Sequence, residues 1–119
     1  ALTEAGLKAI PVSGQDCDVA ALKRIARGEQ TVSVFKDPRK IGDAAGWVAV
    51  ELAKGRKLSE IPGTARWSGG SKKIPMTALL LTPVAITAKN LDYVLAARMI
   101  DKVKLCEGIA QSNLPPACR

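Results

Sequence analysis

Apolar and polar residues alternate along this chain in two periods, one typical of helices and one of strands. Apolar residues recur at helical spacing over 19–27, directly behind Asp18, which predicts a helix with Asp18 as its N-cap. The stretch over 30–35 alternates and is rich in β-branched residues, which predicts a strand. Asp37, followed at once by a proline, predicts the start of a second helix over 38–54.

The remaining segments predict shorter elements. The apolar run over 76–82 indicates a third strand, and the shorter run over 8–13 indicates a first one. Residues 56–73 are polar and rich in glycine, and we expect a loop there. A short helix is expected over 88–96, and residues 1–6 look like the end of a helix.

Strands and helices in alternation predict an α/β fold with a parallel sheet and flanking helices. In such sheets ligands bind beyond the carboxyl ends of the strands. Asp16 follows the first predicted strand and Lys36 follows the second, so both are expected at one edge of the sheet. A carboxylate and an ammonium group there would suit the hydroxyls of a small polyol or sugar. A loop-capping carboxylate and a surface lysine are the alternative, and spacing alone favours it.

Composition narrows the possible chemistry. The 119 residues contain no histidine, which excludes histidine-based triads and histidine-zinc sites. We predict no catalytic residues, no metal site, no cofactor and no enzyme activity. The formal net charge is +7, but basic residues are spread along the chain and do not interleave with aromatic ones. We therefore expect a solvated basic surface and no nucleic-acid partner.

The chain has three cysteines, and their spacing leaves their redox state open. Cys106 and Cys118 are separated by a segment containing glycine and prolines that a disulfide could close, and two reduced thiols are equally compatible with it. Cys17 lies between Asp16 and Asp18, whose negative charges raise a thiol pKa. We expect Cys17 to be a small, buried or half-buried residue and not a nucleophile.

Longer motifs are similar to one known family. The stretch SGQDCDVAALKRIARGEQTVSVFKD over 13–37 resembles the bacterial periplasmic sugar-binding proteins of the xylose-binding type. The resemblance continues through AVELAKG at 49–55, LLTPVAIT at 80–87 and KNLD at 89–92, in the family's order and spacing. Cys106 and Cys118 look like the cysteine pair near the end of some members, which implies that they form a disulfide.

The resemblance implies the substrate-binding component of an ABC importer for monosaccharides, such as a xylose-like pentose or a related aldose. Asp16 and Lys36 fall on the positions whose side chains contact sugar hydroxyls in the family. The implied partners are the sugar, the membrane permease of the importer and the missing N-terminal part of the same protein. The implied location is periplasmic or extracellular, with a lipid anchor if the source is Gram-positive.

Members of the family have two lobes and are much longer, so we expect this chain to be a C-terminal fragment. Residues 1–36 would form part of the C-terminal lobe. Residues 37–73 would cross into the N-terminal lobe with the helix over 38–54, and residues 74–119 would hold the return strand and the C-terminal tail. Lys36 would then lie at a hinge. The ligand-binding domain of a sugar-responsive repressor and a periplasmic sugar sensor are the alternatives.

Overall fold

The computed structural model describes residues 2, 4–7 and 10–119, and the chain divides into two compact units. The first unit comprises Ala1–Lys36 and Pro83–Arg119, and the second comprises Asp37–Thr82. The chain thus passes from the first unit to the second after Lys36 and returns to the first after Thr82. The assignment of the units to lobes stays a prediction.

Nine helices and strands are formed in the described part of the chain. In chain order they are β1 (Ser13–Gln15), α1 (Val19–Ala26), β2 (Val32–Phe35), α2 (Pro38–Ala53), β3 (Thr64–Trp67), β4 (Met76–Leu79), β5 (Val84–Ile86), α3 (Asp92–Ala96) and α4 (Lys102–Cys106). Three short 3₁₀ turns cover Leu58–Glu60, Gln111–Asn113 and Pro116–Cys118.

The sheet of the first unit has the order β1-β2-β5, and it is only partly parallel. β1 and β2 run parallel, as predicted, but β5 runs antiparallel to β2. A parallel neighbour requires a crossover connection, usually through a helix packed on the same sheet. Helix α2 belongs instead to the second unit, so the prediction of a wholly parallel sheet was wrong. The coarser prediction of a mixed α/β chain holds.

Helices α1 and α2 begin where the sequence predicts, because each starts at an aspartate N-cap. Asp18 Oδ1 accepts a hydrogen bond from the Ala21 N–H at 2.6 Å. Asp37 Oδ1 accepts one from the Arg39 N–H at 3.0 Å. Each cap satisfies a backbone donor that a helix start leaves unpaired.

The core of the first unit lies between the sheet and helices α1, α3 and α4. Aliphatic side chains dominate it, and Phe35 meets Tyr93 edge-on with ring centroids 6.1 Å apart. Its largest fully buried side chains are Phe35, Leu22, Ile25, Ile86, Leu91, Leu105 and Val94. Phe35 anchors β2 in this core, and β1 is placed by its pairing with β2.

The second unit contains α2 and an antiparallel hairpin of β3 and β4. The hairpin corrects two predictions. The polar stretch over 56–73 is not a loop throughout, because Thr64–Trp67 forms a strand. The predicted strand over 76–82 ends at Leu79, and it pairs with β3 and not with the sheet of the first unit.

One face of α2 remains largely uncovered within the second unit. Ile41 is 47% exposed and Leu52 is 45% exposed, although both lie on the predicted apolar face. With Leu79 and Leu81, this face lines an open apolar cleft of about 240 Å³, which Ala44, Ala45 and Val48 complete. The predicted packing of this face on a sheet is therefore incomplete within its own unit, where it faces β4 only across the open cleft.

Short elements were predicted least well. The described residues of 1–6 form turns and no helix, and the predicted strand over 8–13 gives way to β1 at Ser13–Gln15, with residues 8 and 9 outside the described residues. The helix predicted over 88–96 is confined to Asp92–Ala96, and α4 was not predicted. No helix in the described part of the chain has the length and apolar character to span a bilayer.

Candidate functional site

Asp16 and Lys36 meet at one edge of the first unit's sheet. β1 and β2 are parallel neighbours whose register pairs Gln15 with Val34. Asp16 follows directly after β1, and Lys36 follows directly after β2. Lys36 Nζ lies 3.0 Å from Asp16 Oδ1, so the two predicted site residues form an ion pair.

The turn that carries Asp16 has an uncommon backbone conformation. Asp16 and Cys17 both have positive φ angles, 73° and 54°. Residues with side chains lose roughly 1–2 kcal/mol each in this left-handed region, so two in succession need support from their surroundings. That support comes from β2: the Asp16 N–H donates to the Val34 carbonyl at 2.8 Å, and the Cys17 N–H donates to Ser33 Oγ at 3.2 Å.

Ser33 is the residue that sequence reasoning missed. The Ser33 side chain is fully buried. Ser33 contacts Cys17 through its hydroxyl and through its backbone carbonyl. Besides the Oγ contact, the Ser33 carbonyl accepts a hydrogen bond from Cys17 Sγ at 3.5 Å. In the sequence, a serine between two valines suggests a position facing solvent, and the one contrary signal is that Phe35 shares its parity along the strand.

Cys17 is buried, as expected, and its thiol is harder to ionise than a free one. Burial raises the pKa of the Cys17 thiol, and the carboxylates of Asp16 and Asp18 raise it further. The hydrogen bond with Ser33 opposes these effects without overcoming them. Because the thiolate is the nucleophilic form, Cys17 serves the turn as a packed side chain.

The Gln30 side chain packs against β1, the strand before the turn. The buried Gln30 amide donates to the Val32 carbonyl at 3.0 Å and accepts from Arg24 Nε at 3.1 Å. A Cβ added at Gly14 would collide with the Gln30 side-chain nitrogen, so the glycine lets the amide lie against the strand. The turn is thus supported by Ser33 on β2, and the strand before it by Gln30, which precedes β2 and lies against Gly14.

The ion pair itself is open to solvent. The Lys36 side chain is 43% exposed and the Asp16 side chain 66% exposed. Exposed ion pairs contribute about 0–1 kcal/mol to stability, so this one is a weak structural element. Hydrogen bonds to charged groups are worth about 1.5–3 kcal/mol, which lets a ligand hydroxyl compete for either partner.

The side chains around the pair are those of a hydrogen-bonding site. In the described ranges, no cluster of three or more histidine, cysteine, aspartate or glutamate side chains has an arrangement that could hold a metal ion. What Asp16 and Lys36 offer is a hydrogen-bond acceptor and a hydrogen-bond donor at one edge of a sheet.

A disulfide fastens the end of the chain to α4. Cys106, the last residue of α4, is bonded to Cys118, which lies 12 residues further along the chain. This is the pairing that the resemblance implies. The disulfide closes the irregular tail against the first unit's core, where Cys106, Ala117 and Cys118 pack.

Comparison with known proteins agrees with the family resemblance noted in the sequence. Residues 1–57 match the model of a periplasmic binding protein domain. The chain is 42% identical over 93 residues to the D-xylose-binding periplasmic protein of Haemophilus influenzae, and 37% identical over 92 residues to that of Escherichia coli. The chain belongs to the periplasmic binding protein family. A further relative is the multiple sugar-binding periplasmic receptor ChvE of Rhizobium radiobacter, 36% identical over 90 residues.

These alignments include about three quarters of this chain but only a small part of each relative. They cover 77%, 76% and 76% of the chain, against 26%, 26% and 25% of the three relatives. The chain therefore spans about a quarter of the length of the periplasmic binding proteins it matches. The roles of Asp16 and Lys36 stay predictions.

Proposed function

We propose that the complete protein binds a monosaccharide, a xylose-like pentose or a related aldose, as the substrate-binding component of an ABC importer. The observation that carries the proposal is the meeting of Lys36 Nζ and Asp16 Oδ1 at 3.0 Å, at the carboxyl ends of two parallel strands. Ligands of open α/β sheets bind at that edge. The names of the relatives, D-xylose-binding and multiple sugar-binding periplasmic proteins, supply the ligand class.

The chemistry of the pair fits binding without reaction. The Asp16 carboxylate would accept hydrogen bonds from sugar hydroxyls, and the Lys36 ammonium would donate to hydroxyl or ring oxygens. No covalent step is needed, and the protein would act as a carrier and not as an enzyme. The membrane permease of the importer is the proposed protein partner.

The proposed location is the periplasm or the extracellular space. Disulfides persist in oxidising compartments, and Cys106 is bonded to Cys118. The same bond argues against the alternative of a cytosolic sugar-responsive repressor, since such proteins rarely keep one. A periplasmic sensor would share the fold, the compartment and the ligand, so it differs from the proposal only in its protein partner.

Calorimetric titration of the complete protein tests the proposal. Xylose, ribose, glucose and arabinose are added in turn, and we expect saturable binding of at least one of them. Glycerol, which has hydroxyls but no sugar ring, is the control and should produce no saturable heat. A complete, folded protein that binds none of the four sugars would contradict the proposed function.

A further inference from the structure

The turn after β1 depends on one hydroxyl group. The Cys17 N–H is turned toward β2 by the two left-handed residues, and it donates to Ser33 Oγ at 3.2 Å. Register pairing of β1 with β2 ends at Gln15 and Val34, and beyond it the Cys17 N–H reaches back to Ser33, which pairs with Gly14 inside the ladder. Ser33 is fully buried, and water could not replace its hydroxyl without opening the core.

The same strand also carries the partner of the carboxylate. Ser33 lies inside β2 and Lys36 follows its end, so β2 both holds the turn and presents the ammonium group. Two consecutive backbone N–H groups of the turn are hydrogen-bonded to β2. The Asp16 N–H donates to the Val34 carbonyl, and the Cys17 N–H donates to Ser33 Oγ. These two bonds hold the backbone from which the Asp16 carboxylate extends toward Lys36.

We infer that Ser33 is a positioning residue of the proposed sugar site, which acts through Asp16 by holding the left-handed Asp16–Cys17 turn against β2. Ser33 does not contact the ligand. Its hydroxyl keeps the Asp16 carboxylate within reach of Lys36 and of a sugar hydroxyl. The inference rests on the proposed function and adds a residue that supports the site without contacting the ligand.

A double-mutant cycle on the complete protein tests this inference, with sugar affinity as the readout. We expect Ser33→Ala to raise the dissociation constant about tenfold when Asp16 is present. In an Asp16→Asn background the same substitution should change the dissociation constant less than twofold, because there is no longer a carboxylate to position. A merely structural role would weaken binding equally in both backgrounds.

Thr31 offers a matched control. Its Oγ1 accepts a hydrogen bond from the Val12 N–H at 3.1 Å, the same type of bond at the opposite end of the β1–β2 pair. Thr31→Ala removes that hydroxyl without touching the Asp16 turn. We expect its sugar affinity to stay within twofold of the unchanged protein, and an effect as large as that of Ser33→Ala would overturn the inference.

A second pair of variants applies if Ser33→Ala does not fold. Ser33→Thr and Ser33→Val have nearly the same shape and differ in one hydroxyl. The threonine variant should bind sugar at least about fivefold more tightly than the valine variant, and equal affinities would overturn the inference.

The outcomes separate this inference from the proposed function. If the unchanged protein binds no sugar, both fall together. If it binds sugar and Asp16→Asn weakens the binding, but Ser33→Ala costs the same in both backgrounds, the proposed function stands and the positioning role of Ser33 is wrong.

Discussion

The ammonium nitrogen of Lys36 lies 3.0 Å from a carboxylate oxygen of Asp16, at the ends of two strands that are parallel neighbours. This pair is exposed, and its own contribution to stability is small. The buried groups behind it are therefore the ones that keep the two charges together. Ser33 and Cys17 hold the turn, and the packed strand β2 carries the lysine.

The Cys106–Cys118 disulfide should be intact in protein from an oxidising compartment. It closes a loop with a sequence separation of 12 residues, and the chain-entropy relation gives about 3 kcal/mol of stabilisation for a loop of this size. Replacing both cysteines by alanine should lower the free energy of unfolding by about that amount. Mass spectrometry without reduction checks the bond, and two free thiols at these positions, or a bond from Cys17 to either, would contradict it.

Cys17 should resist alkylation in the folded protein. Burial raises the pKa of its thiol and also shields it from reagents. We expect iodoacetamide at neutral pH to leave Cys17 unlabelled until the protein is unfolded in denaturant. Full labelling of the native protein at the same rate as of the unfolded one would show that this turn is open.

The Asp37 carboxyl should titrate with a pKa of about 2. Arg39 donates hydrogen bonds to both of its oxygens, at 3.0 and 2.7 Å, and these lower the pKa from 3.8. Because the pKa in the folded state lies below that in the unfolded state, the stabilisation is present above about pH 4. It is lost as the pH falls toward about 2.

Nuclear magnetic resonance titration of the Asp37 carboxyl checks this prediction. Arg39→Ala should raise the pKa toward the ordinary value for aspartate. Arg56→Ala, which removes an arginine paired with Glu51 in the same unit, should leave the pKa of Asp37 unchanged. A pKa near 2 that persists in Arg39→Ala would mean that another group sets it.

The 119-residue chain on its own should not bind sugar with useful affinity. Small-ligand sites gather polar groups from several directions, and this chain supplies two charged groups at one edge. The apolar face of α2 also lacks cover within the second unit, where Ile41 is 47% exposed. Such faces drive association, so we expect the isolated chain to self-associate or partly unfold.

Size-exclusion chromatography with light scattering checks the association. Ile41→Asn, on the uncovered face, should reduce it, whereas Asp43→Asn, on the same helix but away from the cleft, should not. A stable monomer that binds a pentose at micromolar concentration would contradict this prediction.

The sequence was most informative where a local chemical signal marked an element. Asp18 and Asp37 are N-caps, and both helices begin where these residues predict. The direction of β5 could not be predicted in this way, because it depends on α2 lying in a different unit from the sheet. No local signal in the sequence reports that division of the chain.

Only the two exposed charged residues of the candidate site could be predicted from the sequence. Asp16 and Lys36 could be named because each follows a predicted strand. The structure then places their charged atoms in contact. Ser33 could not be named, because its role depends on two left-handed residues that turn the Cys17 N–H toward it. Aspartate does enter the left-handed region, but cysteine rarely does, and nothing in the sequence marks two such residues in succession.

The most direct test of the account is calorimetric sugar titration of the complete protein carrying Asp16→Ala or Lys36→Met. Each variant should weaken binding by at least about 1.5 kcal/mol, roughly tenfold, because a charge-assisted hydrogen bond to a sugar oxygen is lost. Asp92→Ala and Lys89→Met, which change exposed residues of the same unit, should bind like the unchanged protein. Sugar binding at full affinity in both site variants would contradict the central claim that Asp16 and Lys36 hold the ligand.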